Sequence, residues 1–223
     1  QYIEVDFSVP NVTALIPSLN SVFNTSNNIQ IAANISDLTS ISAVIANITL
    51  PNTTVNQLTL SLATGSKYNS TYTIPVLTGV YNITFIANDT SNNINSSQKS
   101  NFTVNDITIP VISNALINAT SPVPKDTIVK INATVTDNIA VSNVTIQITK
   151  PNGTTYNSTA PTSSGSEYFN DTMRLDQTGR WNITFFANDT SRNNASSLQA
   201  NDTNNNQYIE VDFNLPIISA ITE

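Results

Sequence analysis

The side chains best placed to carry chemistry are asparagines. Asn-x-Ser/Thr triplets, the acceptor pattern for N-linked sugar, begin at Asn11, Asn24, Asn34, Asn47, Asn52, Asn69, Asn82, Asn88, Asn95 and Asn101. They begin again at Asn118, Asn132, Asn143, Asn152, Asn157, Asn170, Asn182, Asn188, Asn194 and Asn201. A chain with this much Asn, Ser and Thr reaches roughly eight or nine such triplets by composition alone, and twenty is an excess. Acceptors must face solvent. If Ile31, Ala33 and Ile35 face a core, alternation turns Asn34 outward; Ile131, Ala133 and Val135 do the same for Asn132. Asn82 and Asn182 likewise oppose an aromatic face.

Carboxylates are the second set. Asp37 and Asp137, Asp89 and Asp189, and Asp6, Asp106 and Asp212 recur at equivalent places. Aspartates near module junctions have the oxygen donors that Ca²⁺ takes. The alternative is that Asp37 and Asp137 cap turns and the junction aspartates are solvated. No dense D-x-D-x-D cluster is present, so no metal ligand set is assigned and no cofactor is expected. Lys67, Lys99, Lys125, Lys130 and Lys150 lie among many asparagines, which raises a Lys–Asn isopeptide crosslink. That reaction needs a buried trio, and Lys130 alternates onto the solvent face.

The sequence contains no His and no Cys, which removes the commonest general base, thiolate nucleophiles and disulfides. No Gly-rich phosphate loop occurs among the 5 glycines. Glu4, Glu167, Glu210 and Glu223 do not pair for glycoside hydrolysis. Tyr81, Phe85, Trp181 and Phe185 share a face and read as core, whereas Ile86 and Phe186 alternate outward and call for a cover. A net charge of −7 with few Lys and Arg makes nucleic acid an unlikely partner. No apolar run has the length of a membrane helix. The chain reads as no enzyme.

The elements that must position these residues follow from a repeat. YNITFIANDTSNN at Tyr81 returns as WNITFFANDTSRNN at Trp181, 100 positions on. Residues 31–37 align with 131–137, Leu50-Pro51-Asn52 with Lys150-Pro151-Asn152, and Thr78-Gly79 with Thr178-Gly179. QYIEVDF at Gln1–Phe7 recurs unchanged at Gln207–Phe213, each copy followed by a proline, Pro10 and Pro216. Between them NFTVNDITIP, ending at Pro110, is a divergent equivalent. Repeats of this size imply a tandem array. The β-branched composition and period-two alternation predict all-β modules.

Seven strands are predicted per module. In the first they lie near Val9–Ile16, Asn28–Ser36, Ile41–Leu50, Gln57–Leu62, Tyr68–Ile74, Val80–Ala87 and Asn101–Ile107. In the second they lie near Ile109–Ile117, Thr127–Thr136, Ser142–Thr149, Thr154–Thr159, Glu167–Met173, Arg180–Ala187 and Gln207–Phe213. Residues 9–107 and 108–213 then form two β-sandwich modules. Residues 1–8 read as a last strand without its module, and 214–223 as a first strand of a following module or a tail. Either the chain is a segment of a longer array, or the orphan strand, with Tyr2, Ile3, Val5 and Phe7, completes a neighbouring subunit by strand addition.

Asp176-Gln177-Thr178-Gly179-Arg180-Trp181-Asn182-Ile183, and more loosely residues 77–83, resemble the E–F corner of immunoglobulin-like domains. In those domains a Tyr hydroxyl makes the corner hydrogen bond; Trp181 has no hydroxyl. The run Thr136–Val144 and the turn Pro151-Asn152-Gly153 are similar to Ig-like repeats of bacterial and archaeal surface proteins. The sequons and orphan strands together resemble archaeal filaments joined by donated strands, called threads. The resemblance implies two tandem Ig-like sandwiches, heavily N-glycosylated, in an extracellular, cell-surface filament or stalk. The implied partners are copies of the chain itself, N-linked glycans, and other cells or surfaces. An adhesin that recognises a cell-surface glycan or protein is the alternative.

Overall fold

The computed structural model describes residues 6–158, 162–195 and 198–213, and among them no helix forms. The chain divides after Ile107 into two compact units. The first holds β1 (Asn11–Ile16), β2 (Ser21–Asn24), β3 (Asn28–Ser36), β4 (Ile41–Thr49), β5 (Val55–Thr59), β6 (Ser61–Thr64), β7 (Lys67–Thr73), β8 (Gly79–Asp89), β9 (Ile94–Asn95) and β10 (Lys99–Asn105). The second repeats the series as β11 (Val111–Ile117), β12 (Val123–Pro124), β13 (Ile128–Thr136), β14 (Val141–Thr149), β15 (Thr155–Ser158), β16 (Thr162–Ser164), β17 (Glu167–Arg174), β18 (Gly179–Asp189), β19 (Leu198–Gln199) and β20 (Ile209–Asp212).

In the first unit one sheet has the order β1-β3-β7-β6 and the other β2-β10-β8-β4-β5, with β9 beside β8. The second unit has β11-β13-β17-β16 and β12-β20-β18-β14-β15, with β19 beside β18. Read in chain order, these are the A-B-E-D and G-F-C sheets of an immunoglobulin sandwich, with short strands added at the edges. Alternation builds each core. On β8 the residues Tyr81, Ile83, Phe85 and Ala87 are buried while their neighbours are not. Across the sandwich they meet Ile31, Ala33 and Ile35 of β3. Tyr81 stacks on Phe102 with centroids 4.9 Å apart, and Phe23 meets the same ring edge-on at 5.6 Å. In the second unit Trp181, Ile183 and Phe185 pack with Ile131, Ala133, Val135, Ile209 and Val211.

Two details depart from the sequence expectations. The fourth predicted strand, Gln57–Leu62, is two strands, β5 and β6, that belong to different sheets. Leu60 stands between them with its side chain buried and its N–H donated to the Val44 carbonyl at 2.9 Å, so the crossing is pinned by the core. Short β2 and β12 were not legible; the first strand of each unit bulges at Ala14 (φ 49°) or Asn114 (φ 50°) and ends at Ile16 or Ile117, and the chain then moves on to pair parallel to β10 or β20. Register on β10 follows Phe102 and Val104, both buried; Val104 lies opposite Gly79 as Val211 lies opposite Gly179.

Candidate functional site

None of the twenty sequon asparagines is buried. Asn11, Asn52, Asn82, Asn118, Asn143, Asn152, Asn157 and Asn194 are exposed and the others half-buried. Alternation explains the exposure of many of them, because they stand between core residues on a strand. Asn34, for example, lies between buried Ala33 and Ile35 on β3. Several amides also hold the fold. Asn95 Nδ2 donates to the Pro10 carbonyl (2.8 Å), and Asn101 Oδ1 accepts the Asn20 N–H (2.8 Å). Asn118 Oδ1 accepts the Lys130 N–H (2.6 Å), and Asn170 Nδ2 donates to Ser158 Oγ (2.9 Å).

The second copy of the QYIEVDF peptide is a structural strand. Its Ile209–Asp212 stretch is β20, parallel to β12 and antiparallel to β18, and Ile209 and Val211 are buried in the core. Glu210 faces out, where Arg180 Nε donates to Glu210 Oε1 at 3.0 Å; the Arg180 guanidinium also lies 3.9 Å from the Tyr208 ring centroid. Phe213 follows the strand and is 72 % exposed, so the peptide seats by its Ile and Val. In the first copy Tyr2, Ile3 and Val5 lie outside the described residues, as does the expected strand over 214–223. Phe7 is 83 % exposed and belongs to no strand.

The aspartates build loops and also cluster. Asp89 Oδ1 accepts the N–H groups of Ser91 and Asn93, and Oδ2 accepts Asn93 Nδ2, each at 2.8 Å. Asp189 holds Asn193 in the same way at 2.7 Å. A third copy, which the sequence reading missed, is the Asp202–Asn206 loop, where Asp202 Oδ1 accepts the N–H groups of Asn204 and Asn206. Asp-Thr-x-x-Asn was the available signal: Asp89-Thr90, Asp189-Thr190 and Asp202-Thr203 each have Asn four residues after the aspartate. Burial raises the Asp202 carboxyl, but hydrogen bonds from Asn206, Ser121 and Asn204 outweigh it and hold it below the ordinary value.

In the first unit Asp6, Asp37 and Asp89 bring one carboxylate oxygen each within 4.8 Å of one another. These are hard oxygen donors of the kind Ca²⁺ takes. Thr39 bridges two of them, its Oγ1 lying 3.0 Å from both Asp6 Oδ2 and Asp37 Oδ2. The Ser8 N–H, donated to Asp6 Oδ1 at 2.8 Å, is the main reason that the Asp6 carboxyl is held low. In the second unit Asp137 Oδ1 accepts the N–H groups of Ile139 and Ala140. Asp137 thus takes the turn-capping role foreseen as the alternative. Asp106 is buried and Asp212 exposed.

Three of the lysines meet oxygens. Lys67 Nζ donates to Gln30 Oε1 (2.9 Å), Lys130 pairs with Glu167 (3.0 Å) and Lys150 with Asp176 (3.0 Å). At the corner of each unit the buried aromatic is tied to the carbonyl four residues before it. Tyr81 donates its hydroxyl to Leu77 O (2.8 Å), and Trp181 donates Nε1–H to Gln177 O (2.9 Å). The indole therefore makes the corner bond that a missing hydroxyl put in question.

No protein-family model matches the sequence, and no curated protein matches it. Solved structures do match, in fold. The chain is a pair of Ig-like sandwiches in tandem. Fibronectin(III)-like modules of Clostridium thermocellum CbhA are 17 % identical, with 96 % of this chain and 99 % of that one covered and a TM-score of 0.34. A tetra-tandem repeat from the extending region of a large adhesion protein is 16 % identical, with 85 % of this chain and 47 % of that one covered and a TM-score of 0.47. The titin pair A168–A169 is 10 % identical, with 93 % and 100 % covered and a TM-score of 0.43. No helix among the described residues is long and apolar enough to cross a membrane.

Proposed function

We propose that the chain is a non-enzymatic building unit of an extracellular, N-glycosylated fibre or stalk on a cell surface, joined to its neighbours through strand donation, as in filaments of the archaeal thread type. The observation that carries this reading is the double use of QYIEVDF. Its second copy fills the slot between β12 and β18 with Ile209 and Val211 buried. Its first copy offers Ile3 and Val5 at the same spacing, so it is chemically matched to that slot in another molecule once that molecule's own β20 has been exchanged out of it. Main-chain ladders provide the affinity in such a joint and alternate side chains provide the register. Twenty sequon asparagines, none buried, fit a sugar coat that keeps sparse-charge sheet edges from pairing laterally.

Electron microscopy of the purified protein tests the assembly. The full chain is expected to form long uniform fibres whose repeat is one pair of units, and a variant lacking Gln1–Phe7 is expected to stay monomeric. Fibres that form normally without those residues sink the donated-strand joint. A full chain that remains monomeric and binds a glycan array points to an adhesin instead.

A further inference from the structure

Sequence spacing hides a crowding of acceptors that the sheet register exposes. Asn143 of β14 lies directly opposite Asn188 of β18, and Asn188 in turn forms an antiparallel bridge with Asn194. All three begin sequons. Residues directly opposite in a sheet project from the same face, with Cβ atoms about 5 Å apart. The row therefore presents three acceptor amides side by side at the strand spacing of about 4.8 Å. A pyranose ring with its hydroxyls is wider than that. Sugars on two neighbouring members of the row would crowd each other, and the first to be attached obstructs attachment at the next.

The first unit supplies the internal comparison. Asn88, equivalent to Asn188, lies opposite Ala43 on one side and Ile94 on the other, so its row holds a single sequon. The members of the second unit's row also differ among themselves. Asn143 and Asn194 are exposed, whereas Asn188 between them is half-buried. Asn143 Nδ2 is already turned toward the hydroxyl of its own triplet, Thr145 Oγ1, at 3.2 Å. Beside the row runs a groove lined by Thr145, Phe186, Asn188, Asn194 and Ala195. Phe186 is the aromatic ring that alternates away from the core, and one sugar leaning along this groove would cover it.

We infer that Asn143, Asn188 and Asn194 form one shared glycosylation locus, in which the rim positions Asn143 and Asn194 take the sugar and thereby keep Asn188 bare. The same geometry acts on a pair in the first unit. Asn82 and Asn101 lie directly opposite each other, and Asn82 is exposed whereas Asn101 is half-buried, so Asn82 is the acceptor of that pair. This inference rests on the glycosylation reading above, and it says which sequons exclude which.

Fractional occupancy measured by glycopeptide mass spectrometry on the glycosylated full chain tests it. The occupancies of Asn143 and Asn188 are expected to sum to no more than unity, as are those of Asn188 and Asn194, with Asn88 well above Asn188. A sum above unity requires molecules with adjacent sugars and overturns the inference. In the Asn143→Gln, Asn194→Gln double variant, Asn188 occupancy should rise to the level of Asn88. An Asn188 that does not respond shows that its neighbours never controlled it, which also overturns the inference. A chain bare at all twenty sequons removes the glycosylation reading itself, a result distinct from a crowded row that is fully occupied.

Discussion

At the scale of single residues the two corner aromatics show what a sequence can and cannot announce. The spacing of Gly79, Tyr81 and Ile83, and of Gly179, Trp181 and Ile183, marked the corner. It could not say that an indole would serve, because the pattern was sought as a hydroxyl. The physical requirement is a donor at the far end of a buried ring within reach of the carbonyl four residues back, and Trp181 Nε1 meets it at 2.9 Å. Tyr81→Phe keeps the packing and leaves the Leu77 carbonyl without that donor, so chemical denaturation should register a loss of about 1 kcal/mol. Trp181→Phe loses the bond and opens a void as well, at a cost of roughly 2–3 kcal/mol. A Tyr81→Phe variant as stable as the parent would mean that the corner bond carries nothing. Burial, with a smaller contribution from Tyr72, pushes the Tyr81 hydroxyl up to about 12.

At the scale of elements, the strands were legible because alternation is strong, while the joints were not. Leu60 reads as one more apolar position in a continuous strand; only the core beneath it makes the chain change sheets there. The Asp-Thr-x-x-Asn loops are local, and their sequence does report them. In all three the residue before the final Asn has a positive φ: Asn92 at 66°, Arg192 at 72° and Asn205 at 66°. Asn tolerates that conformation better than a long side chain does. Arg192→Asn is therefore expected to stabilise the second unit by about 0.5 kcal/mol, and a loss of stability would show that Arg192 makes a contact of greater worth. Asp89→Ala removes a buried acceptor of three hydrogen bonds that hold the loop, and a destabilisation of about 2–3 kcal/mol is expected. The glycines before the corners are fixed by space as much as by φ. A Cβ at Gly79 (φ +124°) would meet Pro51 Cγ at 2.9 Å, and one at Gly179 (φ +108°) would meet Pro151 Cβ at 3.0 Å.

At the scale of the molecule, sparse charge has a consequence that calorimetry can read. The chain has 8 Lys and Arg, 15 Asp and Glu and no His. Without His or Cys, no side chain has an ordinary pKa between about 5 and 9, so the number of protons bound can hardly change on unfolding across that range. The ion pairs among the described residues, Lys130–Glu167, Lys150–Asp176, Arg174–Asp126 and Arg180–Glu210, are surface pairs of little worth each, about 0–1 kcal/mol, and salt should shift Tm little. The limbs of the profile follow from the shifted groups. Asp6 and Asp202 are held below the ordinary carboxyl value in the fold. The stability they contribute is present above the unfolded pKa and lost as pH falls through the lower folded value. The decline on the acid side should thus begin only below about pH 4 and be shallower in Asp202→Asn. Tyr81, raised, has the opposite sign: its contribution is intact below the unfolded pKa near 10 and is lost as pH rises through about 12. Tm measured across pH should be a plateau from about 5 to 9 with late falls at both ends. A profile that bends near neutrality would show that a group other than these couples to folding.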